Sequence, residues 1–505
     1  MVLMDFAVRR SCSKYFLQTK TGGSFVLDKI KNIFKPMPDA VEMVKDENEI
    51  KKQYRSMRIK MFFSMYLGYV MYYFTRKNLS PVAHIFREES GITIAQYGWI
   101  GTISYFTYGV GKFLSGMLAD KCNLRAFMAT GLFVSSIVNL FFGYLHSFYL
   151  LAFFWGLSNA FQSMGFPPVA RGLVTWFSAK ERATKWTLWS SSHTVGTTAV
   201  AWLAGGLLFL VGAKFTLPVL GIQIDMSHFI SWRSVFYVPG ILGLLTSIYL
   251  FKTLVDKPTS IGLPSIEDFT GVKAPTTAQK EEMSYWEILK KYVLTNPYLW
   301  ALAIAYVFIY YIRFVTLDWA TIFLGEVKGM DKKALPFLYS IMPLIGTLGG
   351  IASGWMADRF FNGRCAPVNI IFLFILIFVV YAFYLYSGPN HLMLTAVLLG
   401  AVGFFVDGPQ NLAGGVQVSR ITVKESVGAA CGFSGMFGYF GAMISGRGAA
   451  FIISHYGWSA LYMSCAVAAF AAMIFVAIPW NKEKGDDHNN KKNETAQCEA
   501  EKKAV

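Results

Sequence analysis

Two arginines inside long apolar stretches are the side chains whose type and position best indicate chemistry. Arg76 and Arg313 would each cost about 2.5–3.5 kcal/mol in a bilayer unless they face a water-filled cavity. A guanidinium fork matches a phosphate or a carboxylate, and a phosphate monoester brings about −1.5 to −2 charges at neutral pH. The pair therefore indicates an anion site, for which phosphate is the better match and a dicarboxylate is the rival.

The depth of the two arginines in their apolar stretches supports this interpretation. Both lie roughly 24 Å from the predicted cytosolic face, at ~1.5 Å of rise per helical residue. The alternative is an arginine that snorkels to the interface or pairs with a local acid. Asp318 follows Arg313 by five positions, however, which is a poor spacing for a pair on one helix.

An internal repeat makes the two arginines equivalent. One set of residues recurs 237 positions later: Tyr69, Val70, Tyr73 and Arg76 as Tyr306, Val307, Tyr310 and Arg313. The segment at 116–121 recurs at 354–359, an offset of 238 positions. Because the two offsets agree to one residue, the sequence predicts two related halves that both begin on the same side of a membrane. We expect each half to supply one arginine to a shared cavity.

Four tyrosines lie one and two turns below the arginines on the same helix faces. They are Tyr69, Tyr73, Tyr306 and Tyr310. Each could hydrogen-bond a phosphate oxygen or brace a guanidinium. Packing between helices with a satisfied hydroxyl is an equally good interpretation of each one.

Four further ionisable residues fall within apolar segments. Lys112 is either a cavity cation or a lysine that snorkels to the interface. For His193, within SSSHTVG, we favour anion binding or proton relay over a packed neutral ring, because ionisable residues inside spans usually line pathways. Asp407 and Arg447 either pair across the bundle or have separate structural roles, and the sequence leaves both open.

The composition indicates a membrane protein. Of 505 residues, 54% are hydrophobic and only 15% are charged, whereas a soluble domain has about a quarter charged residues. Twelve spans are predicted, at 59–84, 95–119, 125–146, 147–176, 184–212, 233–254, 298–324, 335–357, 366–387, 391–419, 427–454 and 457–480. Lys and Arg are concentrated in alternate loops, which favours both termini on the cytosolic side. The predicted fold is an all-α membrane protein of two six-helix bundles.

The polar segments divide the chain further. We expect a cytosolic arm at 1–58, six-helix bundles at 59–254 and 298–480, a cytosolic linker at 255–297, and a disordered tail at 481–505. The net charge of +16 is spread over loops, which argues against a nucleic-acid partner. The six cysteines lack metal or disulfide spacing, and no catalytic or cofactor motif is found, so we expect neither an enzyme nor a cofactor.

Several segments resemble a known family. The loops GMLADKCNLR at 116–125 and GWMADRFFNGR at 354–364 resemble the signature of the major facilitator superfamily. The resemblance to its organophosphate:phosphate antiporters covers most of 59–480. It rests on YYFTRKNLSPV at 72–82, YGVGKFLSGMLAD at 108–120, MGFPPVARGLVTWFSAKER at 164–182 and GFSGMFGYFGA at 432–442.

This resemblance implies roles for particular residues. By the family pattern, Arg76 and Arg313 bind phosphate, Lys112 lies in the cavity, and His193 contacts the substrate. The signature loops imply conformational roles for Asp120, Arg125, Asp358 and Arg364. Asp407 and Arg447 are less typical of the family, so the sugar preference does not transfer simply.

The resulting expectation is a carrier in the cytoplasmic membrane that works as a monomer. It would exchange a sugar phosphate, with hexose 6-phosphate favoured, for inorganic phosphate. Empty, the two arginines should repel each other, so an unloaded return should be disfavoured and exchange obligatory. The alternatives are a membrane-bound sensor of hexose phosphate and an antiporter of glycerol 3-phosphate or phosphoglycerate.

Overall fold

A computed structural model describes residues 33–119, 122–211, 214–217, 222–225, 230–271, 287, 289–422 and 426–483. The amino-terminal half is helical. Its helices are α1 (Glu47–Phe74), α2 (Ala83–Ser90), α3 (Ile94–Ala119), α4 (Leu124–Phe142), α5 (Phe148–Gln162), α6 (Phe166–Trp176), α7 (Ala179–Leu210) and α8 (Ser234–Thr253). A short antiparallel hairpin, β1 (Lys214–Leu217) and β2 (Ile222–Asp225), connects α7 to α8 and is the one departure from the all-α prediction among the described residues.

The carboxy-terminal half is also helical. After the linker helix α9 (Ile266–Thr270), it contains α10 (Pro297–Asp318), α11 (Ala320–Ile322), α12 (Leu335–Phe360), α13 (Cys365–Tyr386), α14 (Leu392–Asn411), α15 (Gln417–Ile421) and α16 (Val427–Ala477). Gly457 adopts φ 80° and ψ 178° within α16, a backbone conformation open chiefly to glycine, and it divides α16 into two helices.

The predicted spans correspond to these helices. The described part of the chain matches all twelve when α5 and α6 form one span, α14 and α15 form another, and α16 forms two. Eight helical stretches of the described residues are long and apolar enough to cross a membrane by length and composition alone. The others are broken, as α5 and α6 are, or carry polar residues.

The arm and the linker pack against each other at the end of the bundle that bears the termini. Asp46 caps α1, which therefore begins well before the predicted span start at 59. The Tyr54 hydroxyl donates a hydrogen bond to the Pro264 carbonyl, and the Tyr54 ring stacks on Phe269 at 4.1 Å between centroids. The start of α1 is thus held on the linker helix α9.

A carboxylate just after each half caps the helix that forms the third predicted span of that half. The Asp256 carboxylate, after α8, accepts a hydrogen bond from the Leu124 amide at the start of α4. The Glu483 carboxylate, after α16, accepts from the amides of Cys365 and Ala366 at the start of α13. Carboxylates at a helix amino terminus satisfy amides that have no partner within the helix. Glu483, near the start of the tail predicted at 481–505, is therefore ordered, and residues 484–505 lie outside the described residues.

The two halves meet at the end opposite the termini, which we call the outer end because the sequence predicts cytosolic termini. The Thr102 hydroxyl of α3 donates to the Met443 carbonyl of α16 at 2.9 Å. Gly98 lies so close to α16 that a Cβ there would be 2.8 Å from a backbone oxygen. The Trp202 indole of α7 donates to Ser340 of α12 at 2.9 Å. The outer end is therefore closed, as in an inward-facing carrier.

Charged loop residues also join the halves at this end. Arg87 forms an ion pair with Glu326, and Lys332 forms one with Glu88 at 2.5 Å. The hydrogen bond from Lys332 lowers the pKa of Glu88. Both pairs connect α2 to the loop between α11 and α12, so outward opening must break them.

We expect Glu483→Ala to destabilise the carboxy-terminal half. The substitution leaves two helix amides without their acceptor, at a cost on the order of 2 kcal/mol. We expect the melting temperature of the purified protein to fall by roughly 4 °C. Glu483→Gln retains one acceptor oxygen and should give a smaller fall. An unchanged melting temperature for Glu483→Ala would show that the cap does not contribute to stability.

Candidate anion-binding site

Arg76 lies just beyond the end of α1 rather than within it. The helix ends at Phe74, and the Arg76 amide donates to the Tyr73 carbonyl at 3.3 Å in the turn that follows. The Arg76 guanidinium stacks on the Tyr108 ring of α3, with 3.8 Å between Cζ and the ring centroid. Aromatic faces attract cations, and this attraction grows as water is removed. Arg76 is therefore held by rings in the space between helices.

Arg313 lies within the continuous helix α10 and has polar partners on α14. Its Nη1 donates to the Gln410 side-chain oxygen, and its Nε lies 3.3 Å from a carboxylate oxygen of Asp407. Asp407 and Gln410 are three residues apart, so they share one face of α14. The two repeat-related arginines thus have different partners, rings for Arg76 and a carboxylate for Arg313.

Aromatic side chains connect the two arginines across the bundle. The Tyr108 ring lies 4.9 Å from the Tyr439 ring of α16, which lies 5.7 Å from the Tyr310 ring of α10. The Tyr439 ring thus lies between Tyr108, on which Arg76 stacks, and Tyr310, three residues before Arg313 on α10. The arginines of the two halves therefore face one tyrosine-lined space. Sequence reasoning missed Tyr108 and Tyr439, because nothing in their spacing distinguishes them from packing residues.

The four predicted tyrosines divide into two pairs. Tyr73 lies beside Arg76, with 5.4 Å between its ring centroid and the guanidinium Cζ, and Tyr310 precedes Arg313 by three residues on α10. Tyr69 packs on the Trp189 ring at 4.6 Å, one turn further from the arginines. Tyr306 donates to the Tyr310 hydroxyl at 3.4 Å and lies close to Gly438, where a Cβ would be 2.8 Å from its ring. Tyr73 and Tyr310 are placed to contact a ligand, and Tyr69 and Tyr306 support these two tyrosines.

Lys112 reaches across to the other half of the protein. Its Nζ lies 5.3 Å from the centroid of the Tyr439 ring and 5.5 Å from that of Phe166. A lysine that snorkels would extend along its own helix toward the interface. The position of Lys112 between the halves supports the cavity interpretation.

His193 has a fixed proton position. Its Nδ1 is hydrogen-bonded to the Ser190 carbonyl, which can only accept, so Nδ1 carries the proton. Nε2 is then an acceptor in the neutral ring. The His193 ring contacts the Tyr73 ring edge-on at 5.9 Å between centroids. Through Nε2, the neutral His193 ring can therefore accept a hydrogen bond from a ligand hydroxyl.

Asp407 and Arg447 do not pair with each other. Asp407 pairs with Arg313, as described above. The Arg447 guanidinium lies 6.0 Å from the Trp99 ring, and its main-chain amide donates to Thr102 at 2.8 Å. The structure therefore does not support pairing of these two residues across the bundle.

The signature-loop residues are distant from the arginines. Asp358 and Arg364 are exposed at the terminus end, and the Arg125 guanidinium lies 5.1 Å from the Phe251 ring. Asp120 is outside the described residues. Arg171, which sequence reasoning missed, donates to the carbonyls of Ala119 and Cys122 on either side of this loop. Its position bracing the first signature loop supports a conformational role for that loop.

A buried ion pair joins the halves on the outer side of the arginines. Lys77, next to Arg76, lies 3.5 Å from the carboxylate of Asp318 at the end of α10. Ser80 donates to the same carboxylate at 2.8 Å, and Tyr105 donates to its second oxygen. Asp318 thus serves the opposite half rather than Arg313. The pair was invisible in the sequence because its members are 241 residues apart.

The fold defines a two-bundle membrane carrier, and the paired arginines form a candidate anion site between its halves. The model of the Major Facilitator Superfamily matches residues 65–411 and 370–503, and the chain belongs to this family.

Curated relatives place the chain in the organophosphate branch of the superfamily. A probable hexose phosphate transport protein of Chlamydia pneumoniae is 35% identical over 89% of this chain and 96% of its own length. A glycerol-3-phosphate transporter of Bacillus subtilis (strain 168) is 33% identical, with 90% and 99% covered. The membrane sensor protein UhpC of Escherichia coli (strain K12) is also 33% identical, with 86% and 95% covered.

Solved structures agree on the fold. A bacterial homolog of the human lysosomal transporter Spinster, in an inward-facing and unoccupied conformation, superimposes with a TM-score of 0.60. It is 19% identical, and the match covers 85% of this chain and 96% of that one.

We expect Arg76→Lys and Arg313→Lys each to abolish most transport. Lysine keeps the charge but loses the donor fork that binds two phosphate oxygens at once. The rate of labelled phosphate exchange in proteoliposomes would fall by roughly two orders of magnitude, given ~2–3 kcal/mol for the lost hydrogen bonds. Lys291→Arg, on the linker side, is the matched control, because it replaces one cationic side chain by another outside the candidate site. Near-normal phosphate affinity in both variants would contradict a paired clamp.

We expect Asp318→Asn to favour outward opening. The substitution leaves Lys77 as an uncompensated charge at the closed outer end, which destabilises that closed state. A cysteine introduced at Ser445, beside this ion pair, should react faster with a membrane-impermeant thiol reagent in the variant. Asp331→Asn, in the exposed outer loop, is the control. Equal labelling rates would show that the pair does not hold the outer end shut.

Proposed function

We propose that this protein exchanges a sugar phosphate, with hexose 6-phosphate favoured, for inorganic phosphate. The observation that carries the proposal is the pair of arginines, contributed by equivalent segments of opposite halves, that face one space lined by Tyr108, Tyr439 and Tyr310. A phosphate dianion matches their combined charge, and its oxygens match two donor forks. The relatives described above, a probable hexose phosphate transport protein and a glycerol-3-phosphate transporter, support the same class of ligand.

The preference for a sugar over a short acyclic group rests on the acceptors around the arginines. In its neutral form the His193 ring offers Nε2 to a ligand hydroxyl, and the tyrosine hydroxyls can either donate or accept. A hexose presents several hydroxyls to such groups, whereas inorganic phosphate has no hydroxyls apart from those on phosphorus. The phosphate would be held by the arginines and Lys112, and the sugar would lie toward α7.

Alternating access follows from the arrangement of the halves. The outer end is closed by pairs such as Lys77 with Asp318, so the site would be reached from the terminus side. A bound phosphate between Arg76 and Arg313 attracts both halves, which would close the inner side as the outer pairs separate. Each substrate then crosses by rocking of the two bundles around a fixed site.

The protein would lie in the cytoplasmic membrane and act as a monomer. We place it in the cytoplasmic membrane, with the arm at 1–58, the linker at 255–297 and the tail at 481–505 on the cytosolic side. Because one chain supplies both halves of the site, a monomer suffices for transport. The signature-loop residues Asp120, Arg125, Asp358 and Arg364 would act in the conformational change rather than in binding.

A sensor of hexose phosphate is the second candidate. It is favoured by the two sensor proteins among the relatives, one of which is 35% identical over 439 residues. A sensor needs the binding site but not turnover. Strong counterflow of labelled substrate by the purified chain would contradict a function limited to sensing.

We expect glucose 6-phosphate to compete best for phosphate exchange. The panel consists of glucose 6-phosphate, glycerol 3-phosphate, phosphoglycerate and a dicarboxylate, each added to proteoliposomes that exchange labelled phosphate. The first should inhibit at roughly tenfold lower concentration than the second, if its extra hydroxyls contribute about 1.4 kcal/mol. A dicarboxylate that competes best would contradict phosphate recognition. Glycerol 3-phosphate or phosphoglycerate in first place would reassign the organic group only.

A further inference from the structure

Obligatory exchange is expected if both arginines lack a partner when the carrier is empty. Two guanidiniums facing one cavity would then repel each other until phosphate binds. The structure gives each of them a partner from the protein itself. Arg76 lies on the Tyr108 ring, and Arg313 is paired with Asp407 and hydrogen-bonded to Gln410.

The site around Asp407 is shaped to hold this pair. Asp407 is 8% exposed, and among the described residues its carboxylate has Arg313 as its ion-pair partner. Gly346 of α12 makes the room, because a Cβ there would lie 2.8 Å from the carboxylate carbon of Asp407. Any larger residue at this position would displace the carboxylate from its place beside Arg313.

The pair changes the charge of the empty cavity. Arg76, Arg313 and Lys112 are cationic, and Asp407 contributes a negative charge in direct contact with one of them. A buried charge without a partner is costly in a state that is closed at both ends. A charge that keeps its partner avoids this cost while the bundles move. The empty carrier therefore keeps Arg313 compensated while both ends are shut.

We propose that Asp407 is an internal counter-ion that takes the place of substrate phosphate on Arg313, so that the empty carrier can reorient. The protein then supports net transport down a gradient in addition to exchange. Substrate phosphate displaces the Asp407 carboxylate from Arg313 on binding, and the carboxylate returns on release. This role is positioning, and it rests on the proposed function in phosphate and sugar phosphate transport.

The test compares two rates in the same proteoliposomes. Liposomes are loaded with radiolabelled inorganic phosphate, and potassium with valinomycin holds the membrane potential at zero. Efflux into medium with unlabelled phosphate gives the exchange rate, and efflux into phosphate-free medium gives the net rate. For the unaltered protein we expect net efflux clearly above that of protein-free liposomes and within about tenfold of exchange, since the compensated carrier has no large added barrier.

Two variants remove the counter-ion in different ways. Asp407→Asn removes the charge and keeps the shape, and Gly346→Ala pushes the carboxylate aside. In both, the ratio of net efflux to exchange should fall by about tenfold or more, because a buried charge left unpaired is strongly disfavoured. Gly206→Ala on α7 is the matched control, since a Cβ there meets nothing within 4 Å, and its ratio should equal that of the unaltered protein.

The outcomes separate this inference from the proposed function. Exchange without net efflux by the unaltered protein would overturn the counter-ion role and leave the proposed function intact. An unchanged ratio in Asp407→Asn, or in Gly346→Ala if Asp407→Asn does not fold, would overturn it as well. Failure of the unaltered protein to exchange phosphate at all would contradict the proposed function and, with it, this inference.

Discussion

The structure depends on the cost of placing a charged side chain where bulk water does not reach. Within the bundle, each buried charge that the described residues contain has a partner of some kind. Lys77 is paired with Asp318, Arg313 with Asp407, and Arg76 with an aromatic ring. Two of these pairs involve residues far apart in the sequence, so they determine which helices must meet. Charge pairing therefore contributes to the closure of the outer end and to the position of Arg313.

The general architecture was accessible from the sequence because its signals are local. Apolar stretches of sufficient length gave the spans, and the agreement of two repeat offsets gave the two halves. The same repeat located Arg76 and Arg313 without any knowledge of tertiary contacts. The concentration of Lys and Arg in alternate loops predicted that both termini are cytosolic. The outer end is named from that predicted orientation. These features depend on composition and spacing, which a single sequence displays directly.

The partners of the arginines were not accessible, because they depend on how helices pack. Tyr108 and Tyr439 are ordinary tyrosines in apolar helices until α3 and α16 approach each other. Asp407 was noticed as unusual, but the sequence did not say whether Arg447 or another residue was its partner. Asp318 was rejected correctly as a partner of Arg313, yet its contact with Lys77 of the opposite half required the fold. Sequence spacing describes one helix at a time, and these contacts lie between helices.

The repeat predicts two equivalent arginines, but the structure makes them chemically unequal. Arg76 follows the end of its helix and rests on a ring, so an incoming phosphate meets a cation whose donor fork is not engaged by a carboxylate. Arg313 lies inside its helix, forms an ion pair with Asp407 and donates to Gln410, so the same phosphate must compete with existing partners. Phosphate should therefore engage Arg76 first and gain Arg313 by exchange with the carboxylate. An arrangement of this kind separates capture of the anion, by one half, from the switch that commits the other half to move.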